Sequence, residues 1–181
     1  MTGLNPQTAG PADIPELVAL IESAYRGDDS RAGWTTEADL LDGQRIDADM
    51  AAEMLAEPGS TVLLVRDESG AALGTVHLRD LGDRTAYFGT FAVSPRAQGR
   101  GVGKELMTHA EAFARDRFGA ERMRMTVIDK RTELIAFYER RGYLQTGERE
   151  PFPYGEDRFG RPRTDDLEFV VLVKELGPTP A

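Results

Sequence analysis

Phe91-Ala92-Val93-Ser94-Pro95-Arg96-Ala97-Gln98-Gly99-Arg100-Gly101-Val102-Gly103-Lys104 is the stretch that decides how this chain folds. The residues over 86–93 predict a strand, and Ser94-Pro95 closes it, because proline cannot continue a ladder. Three alternate glycines follow, and from about 101 to 118 Val102, Leu106, Ala110 and Phe113 recur at the spacing of one helical face. A strand that turns through glycines into a helix start is a recipe for an anion site. The glycines let the backbone close around oxygens, and the unpaired N–H groups of the first helical turn point at them. Arg96, Arg100 and Lys104 add three positive charges with no acid among them, so a pyrophosphate-bearing ligand is the expected guest.

The known glycine signatures narrow the choice. A P-loop needs glycine where Gln98 stands and serine or threonine where Glu105 stands. A dinucleotide fingerprint fits Gly99 and Gly101 but finds Lys104 in place of its third glycine. What fits is Q-x-x-G-x-G, as Gln98, Gly101 and Gly103. Downstream, a strand over 123–128 precedes a helix, and Ile135, Phe137, Tyr138 and Gly142 match the pattern N-x-x-A-I-x-F-Y-x-x-x-G-F, with Tyr143 as its last aromatic. Together the two motifs resemble the GNAT superfamily of N-acetyltransferases, best over 60–148 and only in helix order before that.

The resemblance implies an α/β fold of the α+β type, a mixed central sheet of about six to seven strands flanked by helices. It implies acetyl-CoA as co-substrate, with the backbone of Phe91, Ala92 and Val93 on the pantetheine arm. Gln98, Gly99, Arg100, Gly101, Val102, Gly103 and Lys104 would then hold the pyrophosphate. Tyr138 falls where many relatives keep the general acid that protonates the departing thiolate. Arg131 replaces an asparagine that often contacts pantetheine, and an arginine there is expected to reach a CoA phosphate instead; Leu134 replaces an alanine. A glutamate that some relatives use as base falls at Tyr87, which leaves His77, Glu37, Asp166 and Glu168 as further candidates. His109 reads as structural. The strand holding Phe91 and the strand over 123–128 are expected to splay around the thioester, freeing a main-chain N–H to polarise its carbonyl.

The rest of the chain reads as one domain over 1–181 without a linker. Helices are expected over 14–25, from Thr35 or Thr36, over 46–56 and over 132–141. Strands are expected over 60–67, 71–79, 143–148 and 167–173, with loops over 28–33 and 149–166 and a frayed tail over 174–181. The resemblance implies that acceptor choice is set by 25–46, with Trp34 and Glu37, and by the excursion, with Phe152, Tyr154, Phe159 and four arginines; a loop that long in a compact domain is itself more often functional than idle.

Composition sets the outer bounds. Among 181 residues there is no cysteine, which removes disulfides and thiolate metal sites, and with a thioester donor it removes an acetyl-cysteine intermediate. Direct attack by an amine follows, and no metal is expected. The net charge of −9 argues against nucleic-acid binding. Residues 1–70 hold fourteen acids and four arginines, and this leans the acceptor towards a cation. No apolar run approaches the roughly 20 residues of a membrane helix, and the polar first ten residues lack a signal pattern, so a cytoplasmic protein without membrane partners is expected. An exposed edge strand leaves a homodimer open. The expected function is acyl-CoA-dependent transfer of acetyl to a primary amine of a small molecule. The alternatives are a non-catalytic CoA-binding sensor or interaction module on the same fold, a protein amino-group acetyltransferase, and, more distantly, a nucleotide-binding protein.

Overall fold

The fold is drawn from a computed structural model that describes residues 3–178. Strand β1 (Gln7–Thr8) leads through a 3-10 turn into helix α1 (Ile14–Tyr25), short helix α2 (Gly27–Arg31), strand β2 (Leu41–Asp42) and helix α3 (Ala48–Ala56). Three strands follow, β3 (Ser60–Arg66), β4 (Ala72–Asp80) and β5 (Thr85–Val93), then helix α4 (Val102–Phe118) and strand β6 (Arg122–Ile128). Helix α5 (Thr132–Glu139), β7 (Leu144–Pro151), β8 (Arg161–Pro162) and β9 (Glu168–Glu175) complete the chain. The main sheet runs β1-β3-β4-β5-β6-β9-β7, seven strands in which only β5 and β6 pair in parallel, while β2 and β8 form a separate ribbon. This is the mixed sheet the sequence implies.

Strand alternation builds the two layers. On β3, Val62 and Leu64 face α1 and α3, where Leu17, Leu20, Ile21, Met50 and Ala51 bury against them. Leu63 and Val65 face the opposite way, into a larger core with Leu106, Met107 and Ala110 of α4 and Leu134, Ile135 and Tyr138 of α5. Each fully buried leucine or valine contributes about 1.5–3 kcal/mol, so both layers lock the register of the strands. Pro15 sits in the first turn of α1, where its missing N–H costs nothing. Asp47 caps α3 by accepting the Met50 N–H at 2.8 Å.

Several local expectations give way to tertiary structure: within the loop expected over 149–166, β7 runs on to Pro151 and Arg161–Pro162 form β8. The polar opening pairs Gln7 and Thr8 with Leu64 and Leu63, extending the sheet by a strand. Residues 28–33, read as loop, start within α2. The helix expected from Thr35 or Thr36 closes only one turn, because Glu37 is drawn inward by two arginines and Leu41 then pairs with Pro162. In the tail, Lys174 and Glu175 belong to β9; 179–181 lie outside the described residues.

Candidate active site

β5 and β6 pair over only three positions, Thr85–Arg122 to Tyr87–Arg124, and then part. The cause is visible on the other side of β5. Thr75 pairs with Ala92 and His77 with Gly89, so Thr90 and Phe91 together face Val76, a bulge. Thr90 holds φ at +44°, a costly conformation for a β-branched residue and the kind of local strain that collects at working sites. The bulge bends β5 away from β6, and the cleft between them is about 140 Å³, lined by Tyr87, Thr90, Phe91, Thr126, Tyr138 and others. The expected splay is present.

One end of the cleft opens on a cavity of about 360 Å³ bounded by Phe91–Val93, Gln98, Gly99, Gly101, Gly103 and Lys104. Gly101 caps α4 at φ +83°, a left-handed conformation that lets the chain turn sharply into the helix. The first backbone bond of α4 runs from the Glu105 N–H to the Gly101 carbonyl, which leaves the N–H groups of Val102, Gly103 and Lys104 without helical partners. At Gly103 a Cβ would stand 3.4 Å from the Phe91 ring and 3.5 Å from Val93, so glycine allows the helix start to sit close against β5. Among the described residues Arg96, Arg100 and Lys104 form no ion pair, and their charge is available to an anion.

Alternation fixes what β5 presents. Ser94 donates to Leu73, and Ala92 is paired with Thr75, so both face β4. Phe91 and Val93 therefore turn their N–H and C=O groups towards the cleft. The carbonyls are already engaged: Phe91 O accepts from the Tyr25 hydroxyl at 2.8 Å and Val93 O from Gln98 Nε2 at 3.1 Å. Gln98 also accepts the Trp34 N–H at 3.0 Å. The glutamine of the motif thus clasps three segments together and has spent its amide on protein partners. Phe137, Arg140 and Arg141 complete this cavity. Arg141 lies flat on the Phe137 ring, 3.4 Å from its centroid, and donates to the Phe137 carbonyl, while its Nε is buried without a partner. Arg140 and Arg141 escaped the sequence reading, although their place one turn past Phe137 was available as a signal.

Beyond the cleft lies a second cavity of about 580 Å³, walled by Ile46, Met50, Met54, Phe152, Phe159 and Phe169. Phe152 and Phe159 come from the excursion as expected; Tyr154 points outward, its hydroxyl bonded to Thr164 O and Leu167 N. Glu37, Arg45, Thr90, Ile128 and Phe169 border both this cavity and the cleft. The front acids do not make it acidic. Only Glu37, Glu53 and Glu57 line it, and each pairs with arginine: Arg158 holds Glu53, Arg79 holds Glu57.

Glu37 is the hub between the chambers. It is 6% exposed and accepts from Arg26 at 3.0 Å and Arg131 at 3.1 Å, with Arg45 at 4.0 Å. Burial would raise its carboxyl, but Arg131, Arg45 and Arg26 outweigh that and hold it below the usual carboxylate range. Arg131 donates its second terminal nitrogen to Thr35 at 2.9 Å, so both ends of its fork are occupied by protein groups; its Nε is buried and unpartnered.

Tyr138 is buried in the cleft wall against Phe88, Phe91, Phe137 and Tyr143, and no described residue bonds its hydroxyl. Burial pushes its phenol well above the ordinary value, which keeps the proton on. The base candidates separate clearly. Asp166 pairs with Lys130 and Glu168 with Arg149, and neither lines a cavity. Tyr87 borders the cleft. His77 borders the larger cavity, with Nε2 2.7 Å from the Ser60 hydroxyl, and burial lowers it to about 4. His109 is half-buried on α4, away from all three chambers.

Comparison with known proteins follows the same outline. The acetyltransferase (GNAT) family model matches residues 17–143. A mycothiol acetyltransferase of Mycobacterium sp. (strain MCS) is 36% identical over 102 residues, 54% of this chain and 30% of that protein. A mycothiol acetyltransferase of Salinispora arenicola is 35% identical over 87 residues, 46% of this chain and 28% of that protein. The chain thus spans less than a third of the length of the curated relatives it matches. In fold it is similar to nourseothricin acetyltransferase (TM-score 0.67, 21% identity, 99% of this chain and 100% of that one). It is similar also to a spermidine N-acetyltransferase from Vibrio cholerae (TM-score 0.65, 13% identity, 96% and 95%).

Proposed function

We propose that this chain, which belongs to the acetyltransferase (GNAT) family, transfers acetyl from acetyl-CoA to the primary amine of a small molecule by direct attack. The observation that carries the reading is the meeting of two chambers at the gap between β5 and β6, a cationic glycine-lined one and an apolar-walled one. A CoA-type group fits the first. The free N–H groups of α4, the N–H groups of Phe91 and Val93, the orphaned Nε of Arg131 and Arg141, and the lining cations Lys104 and Arg140, which form no ion pair among the described residues, all seek oxygen acceptors; Arg96 and Arg100 stand outside the lining. Lys104, Arg140 and Arg141 take the phosphates in this reading. Arg131 serves the pantetheine side through Nε while its fork stays on Glu37 and Thr35.

Acetyl-CoA, when bound, supplies an activated thioester. The chain then has three tasks. The main-chain N–H groups facing the cleft receive the carbonyl oxygen, and each such donor is worth about 2.7–4 kcal/mol when charge develops on it. Tyr138 holds a proton at Oη for the sulfur as the C–S bond breaks and the new C–N bond forms. The apolar-walled chamber delivers the amine. A lysine-like amine of pKa ~10.4 is neutral in only about one molecule in 2,500 at pH 7, a cost of roughly 4.6 kcal/mol. His77, depressed to about 4, and Glu37, held ionised by arginines, are both too weak to remove that proton. The amine therefore enters as its neutral form from solution, and the proton it loses as the amide forms passes to water in the open chamber, from which Tyr138 regains the proton it gave to the sulfur.

Thiol release from acetyl-CoA measured against a panel of small amines tests the proposal, with titration of CoA, ATP and NAD alongside. Turnover with at least one small amine and CoA binding far tighter than ATP or NAD are expected. Tight CoA binding without turnover of any amine would make the chain a sensor and overturn the reading. Turnover confined to protein amino groups would overturn the small-molecule half.

A further inference from the structure

We infer that the acceptor is an amine that also carries a carboxylate, an amino acid with an apolar side chain, and that Arg45 receives the carboxylate. The inference rests on the acetyl-transfer reading above and names the substrate class of that site. It starts from a count of commitments among the guanidinium groups around the chamber. Arg26 is fully engaged at both terminal nitrogens, donating to Gly43 O, Gln44 O, Phe159 O and Glu37. Arg131 is engaged by Glu37 and Thr35, Arg158 by Glu53, and Arg79 by Glu57. Arg45 is different. Its side chain is 25% exposed and reaches Glu37 only through Nε at 4.0 Å, and it rests over the Tyr25 ring at 5.2 Å. Among the described residues its two terminal nitrogens donate to nothing.

Position gives that idle fork its meaning. Arg45 borders both the larger chamber and the cleft between β5 and β6, so an anion on it lies beside the point where the amine meets the thioester. The two carboxylates nearby are both committed, Glu22 to the backbone N–H groups of Arg45 and Ile46 and Glu37 to two closer guanidiniums, which leaves the terminal nitrogens of Arg45 to an incoming anion. A planar guanidinium with free parallel N–H groups matches a carboxylate bidentately. The remaining wall of Met50, Met54, Phe152, Phe159 and Phe169 suits an apolar side chain, and a second ammonium would find there no acid free of an arginine partner. Polyamines are thereby disfavoured, against the cationic lean of the segment charges.

The test is a cycle on both partners. Rates of acetylation are compared for apolar amino acids, their primary amides and a diamine of matched length, with the parent protein and with Arg45→Ala and Arg45→Lys. CoA affinity is followed separately through the fluorescence of Trp34, the chain's one tryptophan, which borders the donor cavity. In the parent, the amino acid is expected to exceed its amide and the diamine by about 100-fold in kcat/KM, equivalent to roughly 2.7 kcal/mol. In Arg45→Ala that preference should shrink to less than fivefold, through a raised acceptor KM, with CoA affinity unchanged; Arg45→Lys should restore part of it. A merely structural Arg45 would lower all acceptors alike and leave the preference intact, which would overturn the inference. So would a parent protein that prefers the amide or the diamine. Turnover of no amine at all would bring down the acetyl-transfer reading itself.

Discussion

Replacing Glu37 by glutamine unbalances the buried hub between the two chambers. The carboxylate lies 3.0 Å from Arg26 and 3.1 Å from Arg131 and is 6% exposed. An amide of the same shape accepts from one guanidinium and turns an NH2 towards the other, so at least one buried cation loses its counter-charge. Breaking a buried pair by removing one partner costs about 3–5 kcal/mol. In a chain of this size each kcal/mol moves the melting temperature by about 2–4 °C, so Glu37→Gln should melt roughly 6–20 °C below the parent at pH 7. The pH dependence has a definite sign. The folded-state carboxyl lies below its ordinary value of 4.5, so its stabilisation is complete above that value and is lost as pH falls through the folded one. The gap between parent and variant should therefore be widest above pH ~5 and narrow on acidification. Thermal unfolding by circular dichroism at several pH values measures both. A second arm adds Arg131→Met, which removes the stranded cation, and the double variant should lose at least 1 kcal/mol less than the sum of the singles. A fall of under 2 °C, a gap independent of pH, or strict additivity would refute the hub.

Three further outcomes bear on the chemistry. Tyr138→Phe removes a hydroxyl that no described residue bonds, so folding stability should stay within about 0.5 kcal/mol and CoA affinity within threefold. Turnover should nevertheless fall by about 10²–10⁴; an unchanged rate would take the proton donor away from Tyr138. The acceptor kcat/KM should climb tenfold per pH unit up to the amine's own pKa, and an inflection between pH 6 and 7 would reveal a base that His77, at about 4, does not provide. Gly101→Glu sets a strained residue and a negative charge at the entrance to α4, where φ is +83°. CoA affinity should fall at least 100-fold by Trp34 fluorescence, and retained affinity would mean that the phosphates bind elsewhere.

The glycine turn and the helix start beside β5 were legible because their signals are local. Val93 to Lys104 specify a strand end, a tight turn and a helix start within a dozen consecutive residues, and Phe137-Tyr138 repeat this in one helical turn. The hub was not legible. Arg26, Glu37 and Arg131 meet across separations of 11 and 94 residues, and no periodicity or capping rule joins them. The same long-range pull cost the helix expected after Thr35, since burying Glu37 against arginine outweighed its propensity. Arg131 shows a milder failure: its position was marked by motif, but its direction was set by Glu37 and Thr35, residues outside the motif. Gln98 is the converse, a signature residue whose amide joins protein segments. Summed segment charge did not foretell the lining of the larger cavity, because the three glutamates there each already hold an arginine.

The ribbon of β2 and β8 pairs Leu41 with Pro162 and Asp42 with Arg161, reinforced by the Arg163 N–H on Leu40 O and the Arg163 side chain on Asp42. It ties two loops that wall the larger cavity to each other and lies outside the seven-stranded sheet. Two walls of the larger cavity, 121 residues apart in sequence at Asp42 and Arg163, are thus braced by each other as well as by the sheet beneath them. Rewriting 40–46 or 152–163 would therefore reach the buried hub as well, because Arg26 donates to the carbonyls of Gly43, Gln44 and Phe159.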